Sequence, residues 1–255
     1  MILNRTWYRR WFGDAYKKLY PHRDFLEAEA QIRFLLRALP VTSEWRILDI
    51  GCGQGRHLEI LRRNGFRSSL GFDLSMPLLR DARAASLMVA RGDMRRPPFR
   101  RHGFDLVTSF FTSFGYFATF EEDVEALSQF VSILKPGGYL FLDLINRENL
   151  VRSLVPEDMR EIEGAQVIQR RRMEGDVVIK EIEIRRPGSA PENFQERVRL
   201  YGPEDMAALA DRFSLRQAAV FGDETGRPYD PEGSQRMALL LQAPPGGTPA
   251  GAAGR

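Results

Sequence analysis

Cysteine and histidine are scarce in this chain of 255 residues: one of the first, Cys52, and three of the second, His22, His57 and His102. A single thiol closes no intramolecular disulfide, and one cysteine with three scattered histidines leaves little from which to build a zinc site. The sequence reads as a reduced, intracellular, metal-free protein. Long apolar runs are also missing. None approaches the roughly 20 residues a membrane helix needs, and the arginine-bearing N-terminus has no apolar stretch fit for a secretion signal. The expected location is the cytoplasm, with no membrane partner. Nor does charge of one sign dominate. The 37 basic and 34 acidic residues leave a net charge of +3, and the basic residues are almost all arginine without forming a patch. Nucleic acid is permitted as a partner but not indicated. What is present is enough apolar matter for a core: 43% hydrophobic and 11% aromatic residues exclude a disordered chain. The length suits a single α/β domain with a lid or small insertion.

The first forty residues have a helical pattern. Trp7, Tyr8, Trp11, Phe12, Tyr16 and Tyr20 come first, and Phe25, Ile32, Leu35, Leu36 and Leu39 recur at helical spacing up to Pro40. Short apolar runs then alternate with helical ones. Strands are expected at residues 46–50, 68–72, 87–90, 104–110 and 138–144. Helices are expected at 54–64, 75–85, opened by a Ser cap with Pro77 in its first turn, and 121–134, stopped by Pro136 and Gly137. Such alternation implies right-handed crossovers and a mostly parallel sheet. Between about 165 and 200 the texture changes to alternation in Val177, Ile179, Ile182 and Ile184, which reads as antiparallel strands with one wet face. A helix at 203–213 and strands at 215–221 and 236–241 return to the sheet. The division that follows is a helical lid over 1–40, a main domain over 41–242 and a floppy Gly/Ala/Pro tail over 243–255.

The segment Ile47-Leu48-Asp49-Ile50-Gly51-Cys52-Gly53-Gln54-Gly55-Arg56-His57 is an apolar strand running into a glycine turn and a helix. Glycines there adopt positive φ and let the backbone approach a ligand. The dinucleotide pattern wants glycine at 56, where Arg56 stands, so the third glycine comes one residue early. Asp49 lies just inside the strand end, where its carboxylate can reach the loop or a cationic ligand group through water. Asp73 ends the second strand and can accept from both hydroxyls of a ribose. Asp93, in Gly92-Asp93-Met94, ends the third, where a carboxylate and a backbone N–H can read an adenine edge. The three carboxylates are expected along one edge of the sheet.

With these residues in view, the chain resembles the class I S-adenosylmethionine-dependent methyltransferases over roughly residues 16–241, and in particular a bacterial small-molecule branch. ILDIGCGQGRH resembles the family's first motif, GFDLS its acidic second, GDMRRPPF its adenine motif and LKPGGYLFLDL its fifth-strand signature. YKKLYPHRDFLEAEAQIRFL and FTSFGYF are similar to the lid helix and post-strand loop of that branch. The resemblance implies a Rossmann-like, seven-stranded, mostly parallel sheet with helices on both faces, an N-terminal helical lid and an antiparallel β insertion after the fifth strand. It implies S-adenosyl-L-methionine as cofactor. Gly51, Gly53 and the loop backbone would hold the methionine moiety, Asp73 the ribose diol, Asp93 with Met94 the adenine, and Tyr16 and Arg23 the cofactor carboxylate from the lid; Asp49, Cys52, Leu74 and Phe110 complete the expected cofactor-binding set.

An activated methyl needs an aligned nucleophile and an excluded solvent more than it needs catalytic side chains. Tyr116 is placed to face an acceptor or to form an aromatic wall. His22 is a second candidate, or simply a partner of Asp24 at a helix entry. His57 and His102 read as structural or solvated, and Arg95, Arg96, Arg100 and Arg101 as a solvated loop. The N-terminal aromatic segment is expected to bury little besides the ligand and to order only over a filled cleft. A small-molecule acceptor is the first reading, with a homodimer possible. Methylation of RNA or protein, a nicotinamide dehydrogenase and a non-catalytic cofactor-binding module are the alternatives. The lack of an Asn/Asp-Pro-Pro-aromatic motif after the fourth strand weighs against methylation of nucleic-acid amino groups, and Arg56 weighs against the dehydrogenase.

Overall fold

The computed structural model describes residues 6–20 and 25–246. Three short helices open the chain, α1 (Trp7–Trp11), α2 (Asp14–Leu19) and α3 (Phe25–Ala38). The alternating region follows as β1 (Ile47–Ile50), α4 (Arg56–Arg63), β2 (Leu70–Asp73), α5 (Met76–Ala84), β3 (Val89–Arg91), β4 (Phe104–Ser109), α6 (Phe120–Ile133) and β5 (Leu134–Ile145). Then come α7 (Arg147–Ser153), the strands β6 (Glu157–Ile162), β7 (Ala165–Glu174), β8 (Val177–Arg185) and β9 (Glu192–Arg199), α8 (Pro203–Arg212), β10 (Arg216–Phe221) and β11 (Arg236–Gln242).

Seven strands form the main sheet in the order β10-β11-β5-β4-β1-β2-β3. Strand β11 runs antiparallel to both neighbours and the rest are parallel, so the expected architecture is observed. The buried strands divide their side chains between two faces with period two. Leu48 and Ile50 join one apolar cluster while Ile47 joins the other, and in β5 Leu140, Leu142 and Leu144 oppose Phe141. The strand order reverses between β1 and β4, which opens a crevice beyond their carboxyl ends.

Local chemistry sets the boundaries. The Ser75 hydroxyl caps α5 by accepting from the Leu78 N–H at 3.3 Å, with Pro77 in the first turn. Thr119 and Glu122 form a capping box on α6. Strand β5 begins four residues before the expected Gly138, because the Lys135-Pro136-Gly137 segment is an irregularity inside the strand rather than a turn before it. Gly137 has φ +73°, a Cβ at Gly138 would lie 2.9 Å from the Lys135 carbonyl, and Lys135 Nζ donates to both Asp105 oxygens at 2.7 Å.

Three expectations need correction. The N-terminal region is broken at Gly13 into α1 and α2, and it buries Trp7, Tyr8, Trp11, Tyr16 and Leu19 in the main cluster, so it is packed protein as well as cover. The antiparallel insertion is a four-stranded sheet, β6-β7-β8-β9, beginning at Glu157 rather than near 165. Its edge strand is mostly exposed and charged, which erases the alternation a sequence reading relies on. Helix α7 buries no residue and carries no apolar signal either. Finally, Ala243 and Pro244, expected in the tail, are tied to the start of β5. The Ala243 N–H donates to the Gly138 carbonyl at 2.9 Å and the Gly137 N–H to the Pro244 carbonyl at 3.0 Å; residues 247–255 lie outside those described.

Candidate functional site: a cleft at the carboxyl edge of the sheet

The turn after β1 carries Gly51, Gly53 and Gly55 at φ +74°, +54° and +83°. Each needs glycine for a different reason. A Cβ on Gly51 would stand 2.5 Å from Ser113 Oγ, and one on Gly55 2.4 Å from Leu87 Cδ1, so these positions let the turn pack against the loop after β4 and against the link between α5 and β3. At Gly53 the nearest atom would be Leu78 Cδ1 at 3.7 Å. That is an ordinary contact, so the requirement there is the backbone conformation. The turn is pinned to β2 by the Gly51 N–H, which donates to the Phe72 carbonyl at 2.8 Å.

Asp73 organises the next strand end. Its Oδ2 accepts from the Gly53 N–H at 2.8 Å and its Oδ1 from the Ser75 N–H at 2.7 Å. Burial pushes this carboxyl above its ordinary value against those two donors. Asp93, at the third strand end, is held differently. Arg95 grips it with Nε and Nη2 and reaches Glu122 with Nη1 at 2.7 Å. Burial pushes Asp93 up, but the Arg95 bonds and charge outweigh it and hold the carboxyl below its ordinary value. The guanidinium also lies 4.5 Å over the Phe117 ring. Arg95 is therefore a bracing residue, not part of the solvated loop expected from its neighbours.

Asp49 sits deeper than the sequence suggests. It is 1% exposed and absent from the cleft wall. Thr108 Oγ1 donates to its Oδ1 at 3.0 Å, while Oδ2 has no partner, and burial pushes its pKa up to about 7. A carboxylate oxygen left bare behind a glycine turn awaits a cation or a bridging water.

The cleft above these strand ends is closed by aromatic rings from two sources. The N-terminal helices and their links supply Tyr8, Phe12, Tyr16 and Tyr20; the loop after β4 supplies Phe110, Phe111, Tyr116 and Phe117. Phe12 stacks on Tyr116 at 5.6 Å, Trp7 Nε1 donates to the Tyr116 carbonyl at 3.3 Å, and Ser75 Oγ donates to the Phe12 carbonyl at 2.5 Å. The loop is strapped to the small sheet as well. The Arg199 N–H donates to the Gly115 carbonyl at 2.7 Å, and a Cβ on Gly115 would lie 2.5 Å from the Arg199 carbonyl oxygen. Beneath it, buried Asp123 accepts from Tyr201 Oη at 2.8 Å and from Arg199 Nε at 3.2 Å, and burial pushes it to about 6.

Comparison with known proteins places a methyltransferase-like domain on these strands. Residues 47–138 match the family described as a methyltransferase domain. The chain is similar to dTDP-3-amino-3,4,6-trideoxy-alpha-D-glucopyranose N,N-dimethyltransferase of Streptomyces venezuelae, with 34% identity over 136 residues, 51% of this chain and 56% of that relative. It is also similar to the probable tRNA methyltransferase 9B of Bos taurus, with 30% identity over 149 residues, 57% of this chain but 31% of the relative. The fold is that of an S-adenosylmethionine-dependent methyltransferase from Clostridium acetobutylicum, at TM-score 0.74 and 19% identity over 90% of this chain and 96% of the other. Residues 47–138 are thus similar to a methyltransferase domain, and the chain spans less than two thirds of the length of either curated relative.

The residues present fit S-adenosylmethionine as a cofactor: two strand-end carboxylates on the cleft, a glycine turn, and an orphaned carboxylate oxygen behind that turn. Of the residues singled out in the sequence, Tyr16, Gly51, Cys52, Gly53, Asp73, Leu74, Asp93, Met94, Phe110 and Tyr116 line the one cleft. Asp49 does not, and His22 and Arg23 lie outside the described residues. Cys52 contributes backbone and volume; burial pushes its thiol well up and leaves it unreactive. His102 is on the surface, bonded to the Leu134 carbonyl at 2.9 Å. His57 is buried and also borders the cleft. Sequence reasoning missed Tyr8, Phe12 and Ser113 as cleft residues. Their apolar or small side chains carry no signature, and only the docking of α1 on the loop after β4 shows what they face.

Proposed function

We propose that this methyltransferase moves the methyl group of S-adenosylmethionine to a small-molecule acceptor bound under the N-terminal helices. The supporting observation is the enclosure of the cleft by aromatic rings from both the N-terminal helices and the loop after β4, which leaves a pocket for a compact molecule rather than a groove for a polymer. The relative acting on a dTDP-linked amino sugar favours an amine nitrogen as nucleophile. In this reading Gly51, Gly53 and the Cys52 backbone hold the methionine part, with Asp49 answering its positive charge from behind. Asp73 and Leu74 take the ribose, and Asp93 and Met94 the adenine. Tyr16 closes the lid side, and Phe110 and Tyr116 form walls on the acceptor side.

When bound, the cofactor supplies a sulfonium-activated methyl group. The chain then has to align the acceptor and exclude water. Among the described residues that line the cleft the carboxylates are Asp73 and Asp93, both already bonded to donors of the chain, so neither is disposed as a general base. An amine would enter unprotonated and lose its proton to solvent after transfer. The test is transfer of labelled methyl to nucleotide-linked amino sugars and, in parallel, to total tRNA. Incorporation into the sugar amine supports the reading. Incorporation confined to tRNA would place the acceptor with the relatives of the tRNA methyltransferase type.

A further inference from the structure

Three buried polar residues cross the otherwise apolar cluster between α3, α4 and the sheet: Gln31, His57 and Asp143, all at most 4% exposed. Their hydrogen bonds have a fixed direction. Asp143 Oδ2 accepts from the Phe111 N–H at 2.9 Å and its Oδ1 from Arg236 Nε at 2.8 Å, so the carboxylate acts only as an acceptor. Gln31 must then present its Nε2 to Asp143, at 3.3 Å, and its Oε1 to His57. His57 Nε2 lies 2.8 Å from that oxygen and is therefore the protonated nitrogen. Burial, with the nearby Arg56 charge, holds the imidazole neutral, well below its ordinary pKa. The ring is clamped in plane by Phe110, with centroids 3.8 Å apart and planes at 4°.

Nδ1 is consequently an acceptor in a fixed orientation. No described residue donates to it. Yet it is not among the fully buried polar atoms left without a partner, which are Asp49 Oδ2 and Ser109 Oγ. It keeps contact with open volume, and the open volume beside His57 is the cleft. A buried polar chain of this kind is costly unless every member is satisfied, so the free pole points to a ligand that donates a hydrogen bond. The donors of the cofactor are its ribose hydroxyls, its adenine amine and its α-ammonium. The first two fall to Asp73 and Asp93 at the ends of β2 and β3; His57 stands on the opposite side of the switch point, stacked on Phe110 beyond β4.

We propose that His57 Nδ1 accepts a hydrogen bond from the α-ammonium of the bound cofactor, with Gln31 and Asp143 setting its tautomer. This rests on the reading that the cleft holds S-adenosylmethionine. The test is calorimetric titration of wild-type, His57→Gln and His57→Asn proteins with S-adenosylhomocysteine and with 5′-methylthioadenosine, which lacks the amino-acid tail. Glutamine can still donate to Gln31 near the Nε2 position but offers nothing at Nδ1; asparagine places an amide oxygen near Nδ1. The expected result is a roughly tenfold loss of S-adenosylhomocysteine affinity in His57→Gln, no change for 5′-methylthioadenosine, and recovery of most of the loss in His57→Asn. Wild-type affinity for S-adenosylhomocysteine in His57→Gln, an equal loss for both ligands, or a folded His57→Asn protein no better than His57→Gln would overturn the proposal. If His57→Asn does not fold, the difference between the two ligands in His57→Gln decides. A wild-type protein that binds neither ligand would instead remove the reading of the cleft itself.

Discussion

Asp49 shows how far a single residue can be read from sequence and where that reading stops. Its place at the end of an apolar strand before a glycine turn is legible; its depth is not, because depth depends on β2 and β4, which flank it from distant parts of the chain, and on the bond from Thr108. The consequence is a measurable pH dependence. An unfolded aspartate titrates near 3.9, whereas burial pushes Asp49 to about 7 in the fold. Between those values the folded state binds the proton that the unfolded chain has released, so this group removes stability as pH rises from about 4 to about 7, on the order of 4 kcal/mol across the window. Asp49→Asn keeps an acceptor for Thr108 and removes the titration. Thermal unfolding of the ligand-free proteins should show the variant more stable than wild type at pH 8, with that advantage vanishing at pH 4. An equal difference at both pH values would mean that Asp49 is solvated. Asp73 and the glycine turn, by contrast, are set by local spacing, which is why the sequence places them on the cleft directly.

At the scale of elements, helical periodicity reveals that the N-terminus is helical but not what it packs on. Trp11 is fully buried; its Nε1 donates to Glu196 Oε1 at 2.6 Å, and Glu196 pairs with the half-buried Lys180 of β8 at 2.5 Å. Helix α1 is thus bonded to the small sheet, and the aromatic ladder that it begins runs through Tyr16 and Tyr20 to the cleft. A sequence window sees aromatic residues at helical spacing and reads a loose cover; the partner strand that fixes them lies about 185 residues further along. Trp11→Ala should cost about 3 to 5 kcal/mol of global stability in urea unfolding, because it empties a large buried site and strands the Glu196 oxygen. A loss below about 1 kcal/mol would show that α1 is a separable flap. The strand β6 and helix α7 escaped notice for the converse reason: they bury too little for any periodicity to register.

The molecule as a whole follows from a pattern that sequence carries well. Strands alternating with helices impose crossovers, crossovers impose the strand order, and the reversal between β1 and β4 fixes where a ligand can enter. What the pattern does not carry is the second layer over that crevice, assembled from residues 6–20, the loop after β4 and a sheet inserted after β5. No helix among the described residues is long and apolar enough to cross a membrane. In the proposed function the cleft holds the adenosyl and methionine parts of one cofactor, organised around Asp73. The most direct measurement is calorimetric titration of S-adenosylhomocysteine into the wild-type protein and a folded Asp73→Ala variant. The account predicts saturable binding at one site in the wild type, weakened by roughly a hundredfold or more in the variant, since two hydrogen bonds to a charged group are lost. No binding by the wild type, or equal affinity in the folded variant, would contradict it.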